Sequence, residues 1–402
     1  MEQRIFSSRL AISFSCVGHT YSHLFTPIFF TLVPLALEAH LGLSHGETVS
    51  LIVVGNALFG FAAPLAGWLA DRWSSVGMMT LFYLGTGAGM IMVGFADTPF
   101  GIAFGLGVTG LFASIYHPVG VAWLVKVAHN PGTALGINGS FGGMGAALGT
   151  VITGALITAF GWRFAYILPG ATVLATGAIF VVCILRGWIS DTDTSHRRPA
   201  PPASRADTIR VVAVLAFVML CGGMIFHATG PALPKAFALD FSTDGEGVMT
   251  VAYLVGLAYA VGGLMQIIGG KLADVLPARR VYLFAFVLQV PVLLSAGQLG
   301  GGSLVAFAIL MVCLNFGGVP AENILIARYT PMHRRGLVFG LKFVLALGIA
   351  SMGVMLEGFL FDISGGFTAV FRVLAGLALM GACAILMLPA ERKASALVEA
   401  AE

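Results

Sequence analysis

Charged side chains make up only 10% of the 402 residues, where a soluble domain carries about a quarter. A chain so poor in charge cannot cover a globule with solvated groups, which excludes a water-soluble fold. Cysteine is scarce as well. Cys16, Cys183, Cys221, Cys313 and Cys383 are the whole set, and their spacing offers neither a disulfide framework nor a thiolate metal site. HExxH, a serine elbow and a phosphate-binding loop are all missing. Gly139 and Gly143 in GSFGGMGAALG (139–149) are followed by no Lys-Ser/Thr and preceded by no strand, so they let helices approach closely and bind no nucleotide. The expectation is a protein that is not an enzyme, with no cofactor, no metal and no ATP-driven step.

What the sequence has is apolar length. Hydrophobic residues are 58% of the chain and glycines number 53. The apolar runs exceed the roughly 18 residues that mark a spanning helix. Reading them between charged or turn-rich breaks predicts an all-α membrane protein with twelve spans: 10–37, 48–70, 76–96, 99–127, 133–159, 164–187, 210–238, 246–271, 279–299, 302–328, 335–360 and 366–388. The first run is too long for a cleavable signal and contains Pro27 and Pro34, so it is expected to remain as a span.

Of the 21 Lys and Arg residues, all but Arg163, Lys235, Arg372 and Lys342, that is 17, fall on the side carrying both termini. The positive-inside rule makes that side cytoplasmic, and the membrane is expected to be the cell inner (cytoplasmic) one. The formal charge of +3 thus reflects topology, and no nucleic-acid partner is inferred. SDTDTSHRRPAPPASRAD (190–207) is too polar to fold alone and reads as a linker. The predicted organisation is a six-helix bundle at 1–188, a cytoplasmic linker at 189–208, a second six-helix bundle at 209–394 and a tail at 395–402, acting as a monomer.

The two halves repeat. GTALGINGSFGGMGAALGTVITG (132–154) aligns with GLVFGLKFVLALGIASMGVMLEG (336–358) at an offset of 204, and GWLADR (67–72) with GKLADV (270–275) at 203. TYSHLFTP (20–27) and GMIFHATGP (223–231) each place a histidine four residues before a proline, His23 with Pro27 and His227 with Pro231, again 204 apart. These features resemble the major facilitator superfamily, with its twelve spans, central linker and Gly-x-Leu-Ala-Asp loops after spans two and eight. The second loop copy, ending in Asp274 with Arg279 and Arg280, matches the family better than the first, where Asp71-Arg72 is followed by Trp73-Ser74-Ser75. Gly18-His19, Leu41-Gly42-Leu43-Ser44 and Tyr116-His117-Pro118 resemble the fosmidomycin-resistance-type efflux branch, in which the position of His23 is commonly acidic. The resemblance implies a proton-coupled exporter of a small organic compound working by alternating access. A proton-coupled importer of a small metabolite, and from another class a non-transporting receptor or lipid-handling protein, are the alternatives.

An ionisable group within a span costs about 2.5–3.5 kcal/mol to insert, so each needs a pathway or a partner. His19 and His23 share one helical face with Ser15 and Thr26. Histidine titrates near physiological pH, which makes this pair the first candidates for the coupling proton and Glu322 the next. His227 is the expected counterpart in the second half, and both His23 and His227 are expected to line the central cavity. His117 with Tyr116, the Glu322 and Lys342 pair across spans ten and eleven, and Asn138 complete the expected substrate and proton pathway. Hydrogen bonding between helices, or Lys342 reaching the interface, is the plainer reading of each. Asp71, Arg72, Asp274, Arg279 and Arg280 are the expected gating residues, the carboxylates taking hydrogen bonds from a neighbouring helix N-terminus. Glu357 and Lys235, near the outer ends, are expected to reach headgroups or water.

Overall fold

A chain in hydrocarbon must satisfy every backbone group internally, and this sequence does so with helices alone: among the described residues there is no strand. The computed structural model describes residues 2–129, 131–191, 205–241, 247–330 and 335–389. Twelve helical rods are long and apolar enough to cross a membrane: Phe6–Leu41, His45–Arg72, Ser75–Phe95, Pro99–Val127, Ala134–Phe160, Phe164–Leu185, Arg210–Phe241, Gly247–Val275, Ala278–Ala296, Gly301–Tyr329, Gly340–Ser364 and Phe367–Leu386. They are numbered here as spans one to twelve. The expected linker falls largely at 192–204, outside the described residues, as does the expected tail.

Local chemistry sets the turns. Gly42 (φ +66°) ends the first span in the left-handed region, and Ser44 opens the second with a capping box to Glu47. Thr98 accepts from the Gly101 amide, and Pro99 sits where a missing N–H costs nothing. Large apolar side chains such as Phe100 and Leu185, each 80% exposed, face outward where lipid would lie.

Two hydrophobic cores follow the sequence halves. One draws on residues from Ala11 to Ile189, with Val354 and the partly buried Leu347 joining it from the other half, and the second runs mainly from Val211 to Leu388. Each half brings its second and fourth helices together through glycine. A Cβ on Gly55 would lie 2.6 Å from the Leu106 carbonyl oxygen, with Gly110 also meeting Gly55, and one on Gly269 would lie 2.1 Å from the Gly317 oxygen. No side chain fits at those crossings, so backbone packs on backbone.

The duplicated prolines do not act alike. Pro27 lacks the N–H that would bond the His23 carbonyl, and the helix breaks at His23–Leu24, whose amides turn back to Thr20 and Tyr21 at 3.2 Å. Pro231 stays inside an unbroken helix, Arg205–Phe241. Widened π turns occur at Val33–Leu37, Tyr116–Gly120 and Val344–Gly348, the first two holding Pro34 and Pro118.

Candidate functional site

Between the two cores lies a cavity of about 2150 Å³. It reaches exposed Trp68, Asp71, Lys126 and Ser190 at the end of the molecule that carries the termini, and runs inward to Phe30 and Gly230. His19, His23, His117, His227, Asn56, Gln289, Glu322 and Lys342 all contribute to its wall.

The break at His23 and the π turn at Tyr116–Gly120 bring three imidazoles together. Ring centroids lie 5.1 Å apart for His19 and His23, 5.5 Å for His19 and His117, and 5.1 Å for His23 and His117. His19 is fixed from behind: its Nδ1 lies 2.7 Å from the backbone oxygen of Asn138, and its ring stacks on Tyr116 at 4.9 Å and 23°. Because a carbonyl only accepts, Nδ1 is the donor and Nε2 carries the lone pair. Tyr116 is held in turn, accepting from Asn138 Nδ2 at 2.7 Å and donating to the Ser15 carbonyl at 2.8 Å. Tyr116 and Asn138 therefore stand behind the histidine face. His227 lies against Phe226, and no ring contact joins it to the trio among the described residues.

The opposite wall holds charge. Lys342 Nζ lies 2.7 Å from Glu322 Oε1 and donates to Asn323 Oδ1 at 2.6 Å, while Tyr282 Oη donates to Glu322 Oε2 at 2.5 Å. Phe343, next to Lys342, stacks on His117 at 5.3 Å, so one residue step joins the ion pair to the histidine face across the two halves. Two amide donors, Asn56 Nδ2 and Gln289 Nε2, are buried in the wall without a partner among the described residues. A buried unpaired donor costs about 1–3 kcal/mol, and a bound acceptor would recover it.

At the other end of the molecule the halves are clamped by a cluster that the sequence reading missed. His45 Nδ1 lies 2.7 Å from Glu38 Oε1 and its Nε2 lies 3.0 Å from Glu357 Oε1; Lys235 pairs with the second oxygen of Glu38. Ser44 Oγ donates to Asp362 at 2.6 Å, and the Gly46 amide donates to the same carboxylate at 3.0 Å. Glu357 is thus fully buried and Lys235 is paired, correcting the expectation that both reach headgroups or water: a charge this deep is tolerable only with a partner of opposite sign.

The expected gating residues are more scattered. Asp71 and Asp274 are exposed at the terminal end, and among the described residues neither accepts a hydrogen bond from a helix N-terminus. That contact is made by Asp191, which accepts from the Val76 amide at 3.1 Å and from Ser74 Oγ. Arg72 lies over the Trp68 ring at 4.3 Å, Arg279 donates to the Ile385 and Leu386 carbonyls at 3.3 and 2.7 Å, and Arg280 is exposed.

The comparisons with known proteins agree with this architecture. The sequence model of the Major Facilitator Superfamily matches residues 15–319 and 215–402. The chain is 23% identical over 371 residues to the "Multidrug resistance protein MdtG" of Escherichia coli O17:K52:H18 and of Escherichia coli O1:K1, covering 89% of this chain and 87% of each relative. A solved bacterial homolog to the human lysosomal transporter Spinster, in an inward-facing and unoccupied conformation, superposes with a TM-score of 0.72 at 12% identity, covering 95% of both chains. Twelve spans, two repeated halves around a shared cavity and a matching family pattern across the chain together make this protein a member of the major facilitator superfamily.

Proposed function

We propose that the protein exports a small organic compound from the cytoplasm by alternating access, in exchange for protons, as a monomer in the inner membrane with both termini cytoplasmic. The observation that carries this reading is the asymmetry of the cavity, which reaches the terminal end while the His45 cluster clamps the far end. A cavity reaching one side only is the arrangement alternating access requires. The curated relatives bear the name of multidrug resistance proteins, which favours export.

The cargo sits between the histidine face of the first half and the Glu322–Lys342 pair of the second. It carries hydrogen-bond acceptors, which Asn56 and Gln289 are placed to meet, and apolar surface for Phe59, Phe226 and Phe343. The coupling proton is placed on Glu322 rather than on the histidines. Protonating that carboxylate cancels its attraction for Lys342 and frees the ammonium within the cavity; among the described residues no carboxylate contacts the histidine face to respond in the same way. Asp71, Arg72, Asp274, Arg279 and Arg280 belong to the cytoplasmic gate, where they bias which state is populated without touching cargo.

The test is transport in reconstituted vesicles. With dyes and drugs of the multidrug type as probes, an imposed proton gradient drives cargo uphill against proton flow, and a protonophore abolishes the accumulation. Cargo moving with the protons would instead identify an importer.

A further inference from the structure

We propose that His19, His23 and His117 form a binding site for a divalent first-row transition-metal ion such as Zn2+, Ni2+ or Co2+. One ligand atom from each of the three side chains lies within 4.8 Å of the other two. Metal–nitrogen bonds of about 2.0–2.1 Å in a tetrahedral site put such atoms roughly 3.3 Å apart, so ring rotation of about an ångström completes the site. Neither His23 nor His117 has a hydrogen-bond partner among the described residues that would resist such rotation.

Two further features point the same way. His19 donates Nδ1–H to the Asn138 carbonyl, the outer contact that metal-ligating imidazoles commonly make, which leaves the Nε2 lone pair for a metal. Beside that nitrogen stands Gly142: a Cβ there would lie 2.6 Å from His19 Nε2, so glycine keeps the approach open. Three neutral nitrogen donors without a carboxylate select borderline transition metals over Mg2+ or Ca2+, which need oxygen. Lys342, the cation near the trio among the described residues, is paired with Glu322. Three ligands leave a fourth position facing the cavity, where a cargo donor atom can complete the coordination. Sequence spacing does not announce the site, because His117 arrives from the fourth span.

The site is tested on the intact purified protein in detergent, carrying an affinity tag without histidine, by calorimetric titration with ZnCl2 and NiCl2 and by the visible spectrum of added Co2+. This readout needs no proton gradient, so its outcome is separate from that of the transport assay. One ion per chain is expected, with nitrogen-coordinated Co2+ bands. His23→Gln and His117→Gln each lower affinity at least about a hundredfold, the upper end of what losing even an outer contact costs, while His129→Gln leaves it unchanged. Intact monodispersity and unchanged helical dichroism show that the variants fold. Tighter binding of the Ni2+–histidine complex than of Ni2+ identifies a chelated cargo as the source; binding of the aqueous ion alone identifies the free metal. Absence of binding in both forms, or equal binding by the wild type and the His19, His23, His117 triple glutamine variant, overturns the proposal.

Discussion

His45 Nε2 lies 3.0 Å from Glu357 Oε1, a histidine at the start of the second span against a carboxylate within the eleventh, both buried. The same ring meets Glu38 through Nδ1. To donate from both nitrogens the ring must be the imidazolium, and Lys235 supplies a second cation, so two carboxylates are matched by two positive groups. In the proposed transport cycle, the contacts of His45 with Glu357 and of Lys235 with Glu38, which cross between the halves, hold only while the far end is closed.

His45→Ala removes the cation and leaves Glu38 and Glu357 facing one another, whereas Glu357→Gln keeps a hydrogen-bond acceptor. Removing one partner of a buried pair costs about 3–5 kcal/mol, and here the loss falls on the closed far end alone. His45→Ala should therefore open the far end more than Glu357→Gln does. Distances between spin labels at Ala39 and Ile363 report it: both variants lengthen the distribution, in that order. An unchanged distribution in His45→Ala would remove the clamp from the mechanism.

Gly46→Ala should act in the same direction by shape instead of charge. A Cβ there would lie 2.5 Å from Asp362 Oδ2 and 2.9 Å from the Gly358 backbone, and backbone cannot turn away as a flexible side chain can. Overpacking of this kind costs about 1–3 kcal/mol, enough to shift a two-state balance by roughly fivefold to a hundredfold. The same spin-label pair should separate, and the Asp362→Ala background should relieve only the carboxylate part of the clash.

The fold was legible because hydrocarbon leaves few choices: a run of 18 or more apolar residues between basic loops has to be a helix, and a duplication keeps its offset when both copies build one cavity. The histidine face was half legible. His19 and His23 share a helical face, but the partnership with His117 depends on a helix break and a π turn whose geometry no periodicity records. The ion pair of Glu322 with Lys342 could be expected from depth in neighbouring spans, and it forms. The far-end clamp was not legible. His45 lies next to a glycine at the end of a polar loop, and what makes it a buried cation is Glu357, 312 residues away in sequence. Burial of Glu357 is a tertiary fact; its position near a span end suggested water instead.

Glu322→Gln keeps the volume and the hydrogen bond from Tyr282 while removing the charge that holds Lys342. In vesicles it should abolish accumulation driven by a proton gradient yet leave cargo exchange without a gradient within a few-fold of wild type. Lys342→Met, which leaves a buried carboxylate unpaired, should also cost stability, about 3–5 kcal/mol. A Glu322→Gln protein that still concentrates cargo at the wild-type level places the proton on another group.

Gly142 and Gly139 provide the finest control on the histidine face, since they lie one turn apart on the same helix beside the same cavity. A methyl group on Gly142 would press within 2.6 Å of His19 Cε1 and Nε2, while one on Gly139 would meet nothing within 4 Å. Both substitutions remove the same backbone freedom and add the same helix propensity, so their effects on folding should nearly cancel in comparison. What remains is the position of the His19 ring. Gly142→Ala pushes it off Tyr116 and strains its bond to the Asn138 carbonyl, so cargo and Ni2+ affinity should fall at least about tenfold, the lower bound for a lost outer contact at a metal site. Gly139→Ala should leave both within about twofold. Calorimetric titration of the two variants side by side decides the matter: equal affinities would mean that the His19 ring takes no part in binding.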